Sequence, residues 1–133
     1  MNLSGLLSPV EEMPSYRELI LDIREASGEK RVLVIDPARP CLIASLFRSL
    51  GLPILVITAR SERARQLHEE IPLWLGIDDR VRLLPEPDAL PYERLSSDSF
   101  TVQQRLRVLA ELAADDKPAL VISSAYAVAR KTL

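Results

Sequence analysis

The residues from Arg31 to Phe47 read RVLVIDPARPCLIASLF, and their types follow the order of a phosphate-binding strand, turn and helix. A β-branched apolar run stops at Asp36, and apolar residues at helical spacing begin shortly after it. Nucleotide-binding α/β proteins place their phosphate loop at such a junction, because backbone N–H groups at the helix start bind anions. This junction is therefore the first candidate for chemistry.

The residues of this junction do not suit a phosphate. The phosphate-loop pattern G-x-x-x-x-G-K-[ST] aligns with LVIDPARP, residues 33–40. Leucine and alanine stand at the two glycine positions, arginine at the lysine position and proline at the hydroxyl position. Pro37 and Pro40 remove two backbone donors, and Asp36 adds a negative charge. The sequence predicts a degenerate loop without a nucleotide, formed by Asp36, Pro37, Ala38, Arg39 and Pro40, with Asp36 as helix N-cap.

Three arginines surround the predicted start of a later helix. Arg60, Arg63 and Arg65 lie in ARSERAR, residues 59–65, where they form a weak candidate for contact with a nucleic-acid backbone. Nearby glutamates offer the alternative of a solvent-exposed face of ion pairs.

Single polar residues give little evidence for catalysis. His68 has no second histidine to share a metal, and Cys41 is the only cysteine, at an apolar helix start. Ser123 and Ser124 follow a strand and precede a helix, so helix capping is the simpler interpretation than nucleophilic attack. The sequence predicts no catalytic residue and no metal site.

The segment PEPDALPYERLSSDSF, residues 85–100, shows neither helical nor strand periodicity. Loops of this length in compact domains are usually functional or packed against a neighbour. Its prolines favour extended geometry, and a tyrosine flanked by charges is a typical interface anchor. The candidate interaction residues are Pro87, Tyr92, Glu93 and Arg94.

The elements around these positions alternate along the chain. A lead segment (1–13) precedes the order α-β-α-β-α-β-loop-α-β-α, with strands at 30–35, 53–58, 80–84 and 119–124. The third helix, 61–71, is expected to end or kink at Pro72, and a helix after Thr101 carries the stripe Val102, Leu106, Leu109 and Leu112. This order predicts an α/β fold with a mostly parallel sheet and helices on both faces.

Length and composition restrict the class of protein. A chain of 133 residues with 47% hydrophobic and 27% charged residues suits one globular domain, residues 1–133, with its core in 14–133. A net charge of −2 gives no general affinity for polyanions. The lone cysteine and the lack of a signal or membrane-spanning segment predict a cytoplasmic protein. The helical pattern at the end of the sequence is cut off, which predicts that the chain is the front part of a longer protein.

Three stretches together resemble a known family: VRLLPEPDALPYERLSSD, TVQQRLRVLAEL and LVISSAYAVARKTL. They are similar to the N-terminal domain of the bacterial transcription-repair coupling factor, the part related to the first domain of the excision-repair subunit UvrB. The likeness runs from about Val32 to Leu133.

This resemblance implies a truncated RecA-like domain, of the P-loop NTPase type, that has lost ATP binding. The family's motor, with its ATP and magnesium, lies in later domains. The intact protein binds stalled RNA polymerase, translocates on DNA and recruits UvrA. The implied role here is a non-catalytic scaffold that contacts other domains of the same protein, with residues 85–100 as contact surface.

Two departures from UvrB support the coupling factor. The phosphate loop is intact in UvrB and degenerate here, and the tyrosine-rich DNA hairpin of UvrB is reduced to Tyr92, so DNA contact by this domain alone is expected to be weak or absent. Two alternatives stay open: an ATP-dependent nucleic-acid motor in which Arg39 replaces the lysine, and a stand-alone regulatory binding module.

Overall fold

The computed structural model describes residues 1–25, 28–77, 79–87, 99–114 and 119–131. Its helices and strands, in chain order, are α1 (Leu7–Glu12), α2 (Pro14–Glu25), α3 (Arg39–Leu50), β1 (Ile54–Thr58), α4 (Ser61–Leu75), β2 (Val81–Leu84), α5 (Ser99–Ala114), β3 (Leu120–Ser124) and α6 (Ala125–Ala129). The chain forms two compact units, Met1–Leu52 with Glu69–Asp78, and Pro53–His68 with Asp79–Leu133. The assignment of residues 1–133 to one domain stays a prediction.

The first unit is a helical cluster built on α1, α2 and α3. Leu7 and Ile71 are fully buried in it, and Phe47 is nearly so. The Arg48 guanidinium binds the Glu11 carboxylate through two contacts of 2.8 Å (Nε–Oε1) and 2.7 Å (Nη2–Oε2), so α3 is fixed to α1 by a bidentate ion pair. Leu7, which lies in the predicted lead segment 1–13, is thus part of this core.

The second unit contains a three-stranded sheet in the order β1-β3-β2. Both pairings are parallel, with Ile122 of β3 opposite Val56 of β1 and Leu83 of β2. All five residues of β3 are buried, as expected of an apolar central strand in a parallel sheet. α5 packs against β2, and α6 contacts β3 and β1. The predicted α/β class with a parallel sheet is confirmed.

The predicted strand at 30–35 is wrong. These residues belong to no helix or strand, and the exposed fractions are 51% for Val32, 102% for Leu33 and 74% for Ile35. The segment has the strand composition, but the described residues provide no neighbouring strand for it. Local propensity alone does not form a ladder, since every ladder bond needs a second backbone.

Two helix predictions also require correction. α4 does not end at Pro72 but continues to Leu75, and the Gly76 N–H donates to the Pro72 carbonyl over 2.8 Å, so a kink at Pro72 is the alternative that stays a prediction. α5 begins at Ser99 and buries Thr101, Arg105 and Val108. Three leucines of the predicted core stripe, Leu106, Leu109 and Leu112, are instead between 42% and 45% exposed. The buried face of α5 was missed because it carries a threonine and an arginine.

Candidate functional site

The phosphate-loop position has no free backbone donor from residue 37 to residue 40. Pro37 and Pro40 lack an N–H. The Ala38 N–H donates to the Ile35 carbonyl over 3.0 Å, and the Arg39 N–H donates to the Asp36 carbonyl. Because this short 3₁₀ turn uses both remaining amides, it does not present the convergent N–H groups that bind phosphates.

The two charged side chains of this turn bind each other. Arg39 Nη2 lies 2.8 Å from Asp36 Oδ1, and both side chains are more than half exposed. Asp36 is the first residue of a short 3₁₀ turn, Asp36–Ala38, and Ala38 is the N-cap of α3, so the predicted N-cap role of Asp36 is wrong. Pro37 lies in the 3₁₀ turn and Pro40 in the first turn of α3. The Asp36 carboxylate therefore binds Arg39, the residue that stands at the lysine position of a phosphate loop.

A second polar region lies at the carboxyl ends of the three strands, where parallel α/β sheets commonly bind ligands. Thr58 ends β1, Ser123 and Ser124 end β3, and Glu86 follows β2. Ser124 Oγ donates to Glu86 Oε1 over 2.5 Å and accepts a 3.1 Å bond from the Ala127 N–H. Ser124 is therefore the N-cap of α6, as the sequence predicted. We call these four residues the strand-end cluster.

The other hydroxyl groups of the strand-end cluster also donate to nearby carbonyls. Ser123 Oγ donates to the Leu84 carbonyl over 3.0 Å, which links β3 to β2. Thr58 Oγ1 donates to the Arg60 carbonyl over 2.8 Å. Since each hydroxyl proton has a structural acceptor and no histidine belongs to the cluster, the arrangement does not form an activated nucleophile.

Arg105 connects the chain just after β2 to the end of α6. Its side chain is 3% exposed, and its Nη1 donates to the Pro85 carbonyl. Its Nη2 donates to the carbonyls of Ala127 (3.1 Å) and Arg130 (3.0 Å). Burial lowers the pKa of the guanidinium, whose ordinary value is so high that the group stays charged. Arg105 thus joins the exit of β2 to the chain beyond α6.

Sequence reasoning missed Arg105 and Glu86 as functional residues of this region. An arginine within an apolar helical pattern normally lies at the solvent face, and the stripe of leucines beside it predicted the wrong buried face. Arg105 does lie at helical spacing from Thr101 and Val108, so the three share one face of the helix. That face can be recognised as buried only when the surface that it packs against is known.

Contact of the three arginines after β1 with DNA stays a prediction. Arg60 and Arg65 are exposed, and Arg63 Nη1 donates to Gln66 Oε1 over 3.2 Å.

His68 lies farther along α4, beside a groove of about 390 Å³ between β2 and α5. In that groove Glu111 accepts bonds from Arg82 (2.5 Å) and Arg107 (2.9 Å), which hold the pKa of its carboxyl below the ordinary value.

The predicted interaction residues are only partly described. Pro87 is half-buried, whereas Tyr92, Glu93 and Arg94 lie outside the described residues. The described start of this segment is anchored, because Arg105 binds the Pro85 carbonyl and Ser124 binds Glu86.

Metal and thiol chemistry find no support in the described part of the chain. It holds no group of three or more histidine, cysteine, aspartate or glutamate residues that could bind a metal ion. Cys41 is buried, and burial raises the pKa of its thiol, which favours the unreactive protonated form. No helix among the described residues has the length and hydrophobicity needed to cross a membrane.

The second unit thus holds a parallel α/β sheet with a polar cluster at its strand ends, and the first unit holds a turn and helix whose residues 37–40 offer no free amide. No model of a known protein family matches the chain. Transcription-repair-coupling factors of Mycobacterium bovis and Mycobacterium tuberculosis are each 34% identical to it over 116 residues, which are 86% of this chain and 9% of each relative. The transcription-repair-coupling factor of Myxococcus xanthus is 33% identical over 124 residues, 89% of this chain and 10% of that relative.

The resemblance found in the sequence is confirmed by these matches. The chain is related to one part of the transcription-repair-coupling factors. It spans about a tenth of the length of the curated relatives that it matches.

Proposed function

We propose that this chain is a non-catalytic scaffold and interaction domain of a transcription-repair coupling factor, acting in nucleotide excision repair in the cytoplasm. The observation that carries the proposal is the junction at residues 37–40, where two prolines and two internally bonded amides leave no backbone donor for a phosphate. The matches to coupling factors support the repair context.

The partners belong to the longer protein in this proposal. ATP and magnesium are used by its later domains, which translocate on DNA, displace stalled RNA polymerase and recruit UvrA. This domain contacts other domains of the same protein through the segment that contains Pro87, Tyr92, Glu93 and Arg94. The anchored backbone at Pro85 and Glu86 supports such a role, because a fixed base reduces the entropy lost when the segment binds.

A test on the full-length protein separates a scaffold from a second ATP site. In the variant Asp36→Ala/Arg39→Ala, the kcat of DNA-stimulated ATP hydrolysis is expected to stay within about twofold of wild type, since neither residue contacts nucleotide. The matched control Glu29→Ala/Arg31→Ala removes a neighbouring exposed ion pair of 2.8 Å. A tenfold loss in the first variant alone would support the motor alternative, in which Arg39 acts on the phosphates.

The interaction surface has its own test. Tyr92→Ala/Arg94→Ala is expected to leave the 133-residue chain folded and to alter the interdomain contacts of the full-length protein. Circular dichroism checks the fold, and limited proteolysis of the full-length protein checks the interdomain contacts. Unfolding of the 133-residue chain by this double variant would make these residues part of the core and contradict the proposal.

A further inference from the structure

The sheet of the second unit has an open edge at β2. Among the residues that the structure describes, β2 pairs with β3 on one side only. The Arg80 carbonyl accepts from the Leu120 N–H of β3 over 2.9 Å, so alternate residues counted from Arg80 direct their backbone groups to β3. The backbone groups of Val81 and Leu83 therefore point to the open edge, where a further strand can bind them.

The groove of about 390 Å³ runs along this open edge. Three consecutive residues of β2, Val81 to Leu83, line it, although neighbouring side chains of a strand point to opposite faces of the sheet. The groove therefore follows the edge of the strand rather than one face of the sheet. His68 of α4 and Gln104 of α5 also line it, and its volume is in the range of binding clefts in proteins.

The charged side chains of this groove leave a positive charge. Arg82 and Arg107 both donate to the Glu111 carboxylate, so two guanidinium groups face one acid, and the Arg107 side chain is 81% exposed. Many proteins block an open edge with a charged side chain that repels a further strand. Here Arg82 is instead bound to Glu111 and to the Val81 carbonyl. The edge thus favours an acidic partner over a basic one.

We propose that β2 is a docking edge for an extended acidic segment of another protein, which adds to the sheet as a strand. The backbone groups of Val81 and Leu83 supply the new ladder bonds, and Arg107 attracts the acidic side chains. Since side chains alternate between the two faces of a strand, the acidic residues are expected at every second position. This surface is separate from residues 85–100 and goes beyond the proposed scaffold role, whose contacts are with domains of the same protein.

Two other occupants suit the groove less well. A second copy of this chain paired through β2 would bring the same arginines against each other. A nucleic-acid strand would use the positive charge but would leave the backbone groups of Val81 and Leu83 without ladder partners. Both occupants are outcomes that the experiments below detect.

Fluorescence anisotropy with three short labelled peptides tests the chemistry of the partner. The first peptide alternates valine with glutamate, and the second alternates valine with lysine. The third is the first with every backbone nitrogen methylated, so it keeps the charges and has no backbone donor. The 133-residue chain is expected to bind the first peptide at least about tenfold more tightly than either of the others. Added salt is expected to weaken that binding.

Amide exchange followed residue by residue with NMR tests the location. With the acidic peptide in excess, the N–H groups of Val81 and Leu83 are expected to exchange at least about tenfold more slowly, because they gain a hydrogen bond. Arg82 and Leu84 direct their N–H groups to β3 already and serve as the internal reference, with little change expected.

Two substitutions separate the charge from the backbone. Arg107→Gln removes the surplus charge and is expected to weaken binding of the acidic peptide about threefold, as for an exposed ion pair. The control Arg17→Gln changes an exposed arginine of α2 and is expected to leave binding unchanged. Leu83→Pro removes an outward donor at a strand edge, where proline is tolerated, and is expected to abolish binding. Circular dichroism checks its fold, and the exchange pattern decides if this variant unfolds.

Four results would overturn the inference. They are no binding of the acidic peptide, equal binding of the acidic and methylated peptides, unchanged exchange at Val81 and Leu83, and tighter binding of a single-stranded oligonucleotide that competes with the acidic peptide. Slow exchange at both residues without peptide, together with a dimer in light scattering, would identify a second copy as the partner instead. None of these measurements involves nucleotide hydrolysis or residues 85–100, so the scaffold proposal is tested separately.

Discussion

The chain passes from an apolar strand-like segment into a helix at residues 31–50 and again at residues 120–129, and the two junctions differ in structure. In the second junction β3 is buried between two strands, and Ser124 caps α6 with its side chain. In the first junction residues 31–35 pair with no strand among the residues that the structure describes, and a proline-containing turn leads into α3 without a side-chain cap. The two sequences have similar apolar patterns, yet only one forms a strand.

This difference shows that the order of residue types does not determine a strand without its partners. Ile122 is fully buried on a central strand, with Val56 and Leu83 beside it on the two neighbouring strands. Leu33 is fully exposed because no described strand lies beside it. The predictions below compare or perturb these two junctions, beginning with the largest expected effect.

Truncation of one apolar residue in each junction tests the difference in burial. Ile122→Ala is expected to lower the free energy of unfolding by about 2–5 kcal/mol, because it leaves a cavity in the sheet. Leu33→Ala is expected to change it by no more than about 0.5 kcal/mol, as for an exposed residue. Urea denaturation of the 133-residue chain measures both values. Equal losses would show that residues 31–35 are buried as β3 is.

Replacement of Arg105 tests the support of the second junction. Arg105→Met is expected to cost about 1–3 kcal/mol in free energy of unfolding, since the carbonyls of Pro85, Ala127 and Arg130 lose a donor. Arg105→Lys keeps the charge but not the planar set of donors, so an intermediate loss is expected. Thermal unfolding of both variants gives the comparison. A stable methionine variant would show that these bonds contribute nothing.

Removal of the helix cap gives a smaller effect. Ser124→Ala is expected to cost about 1 kcal/mol, because the Ala127 N–H and the Glu86 carboxylate lose the hydroxyl. Ser124→Asn is the matched variant that retains a capping side chain. Denaturant midpoints are the readout, and a loss of equal size in both variants would argue against capping as the cause.

The smallest expected effect concerns acid stability beside β2. The arginines at 107 and 82 lower the pKa of Glu111, so its contribution is present above its ordinary pKa and is lost as pH falls through the lowered value. Glu111→Gln is therefore expected to be less stable than wild type near neutral pH and equal to it in acid. Unfolding midpoints across pH 7 to 3 check this order. A stability difference that grows on acidification would have the wrong sign.

The sequence predicted the features that depend on local chemistry. The helix cap follows from Ser124 before α6, and β3 follows from an apolar run that suits a buried strand. The loss of nucleotide binding at residues 36–40 stays a prediction. The predictions that failed depended on distant partners: residues 31–35 lack a neighbouring strand, and the buried face of α5 is set by three carbonyls that Arg105 reaches. Neither partner is encoded within the local window from which periodicity is read.

The structure also corrected the role of Asp36. Its position before a proline predicted an N-cap, but the side chain binds Arg39 instead. An aspartate and an arginine three residues apart within a helical turn are neighbours, so the ion pair competes with the cap for the same carboxylate. Sequence alone does not rank the two bonds, because both are local and their energies are similar.

Isothermal titration of the 133-residue chain with ATP and magnesium tests the central claim most directly: the first junction keeps a strand sequence, turn and helix without the capacity to bind phosphate. No saturable heat is expected, because residues 37–40 offer no free N–H group and Arg39 is paired with Asp36. Saturable micromolar binding that Arg39→Ala removes would contradict the claim and establish a nucleotide site.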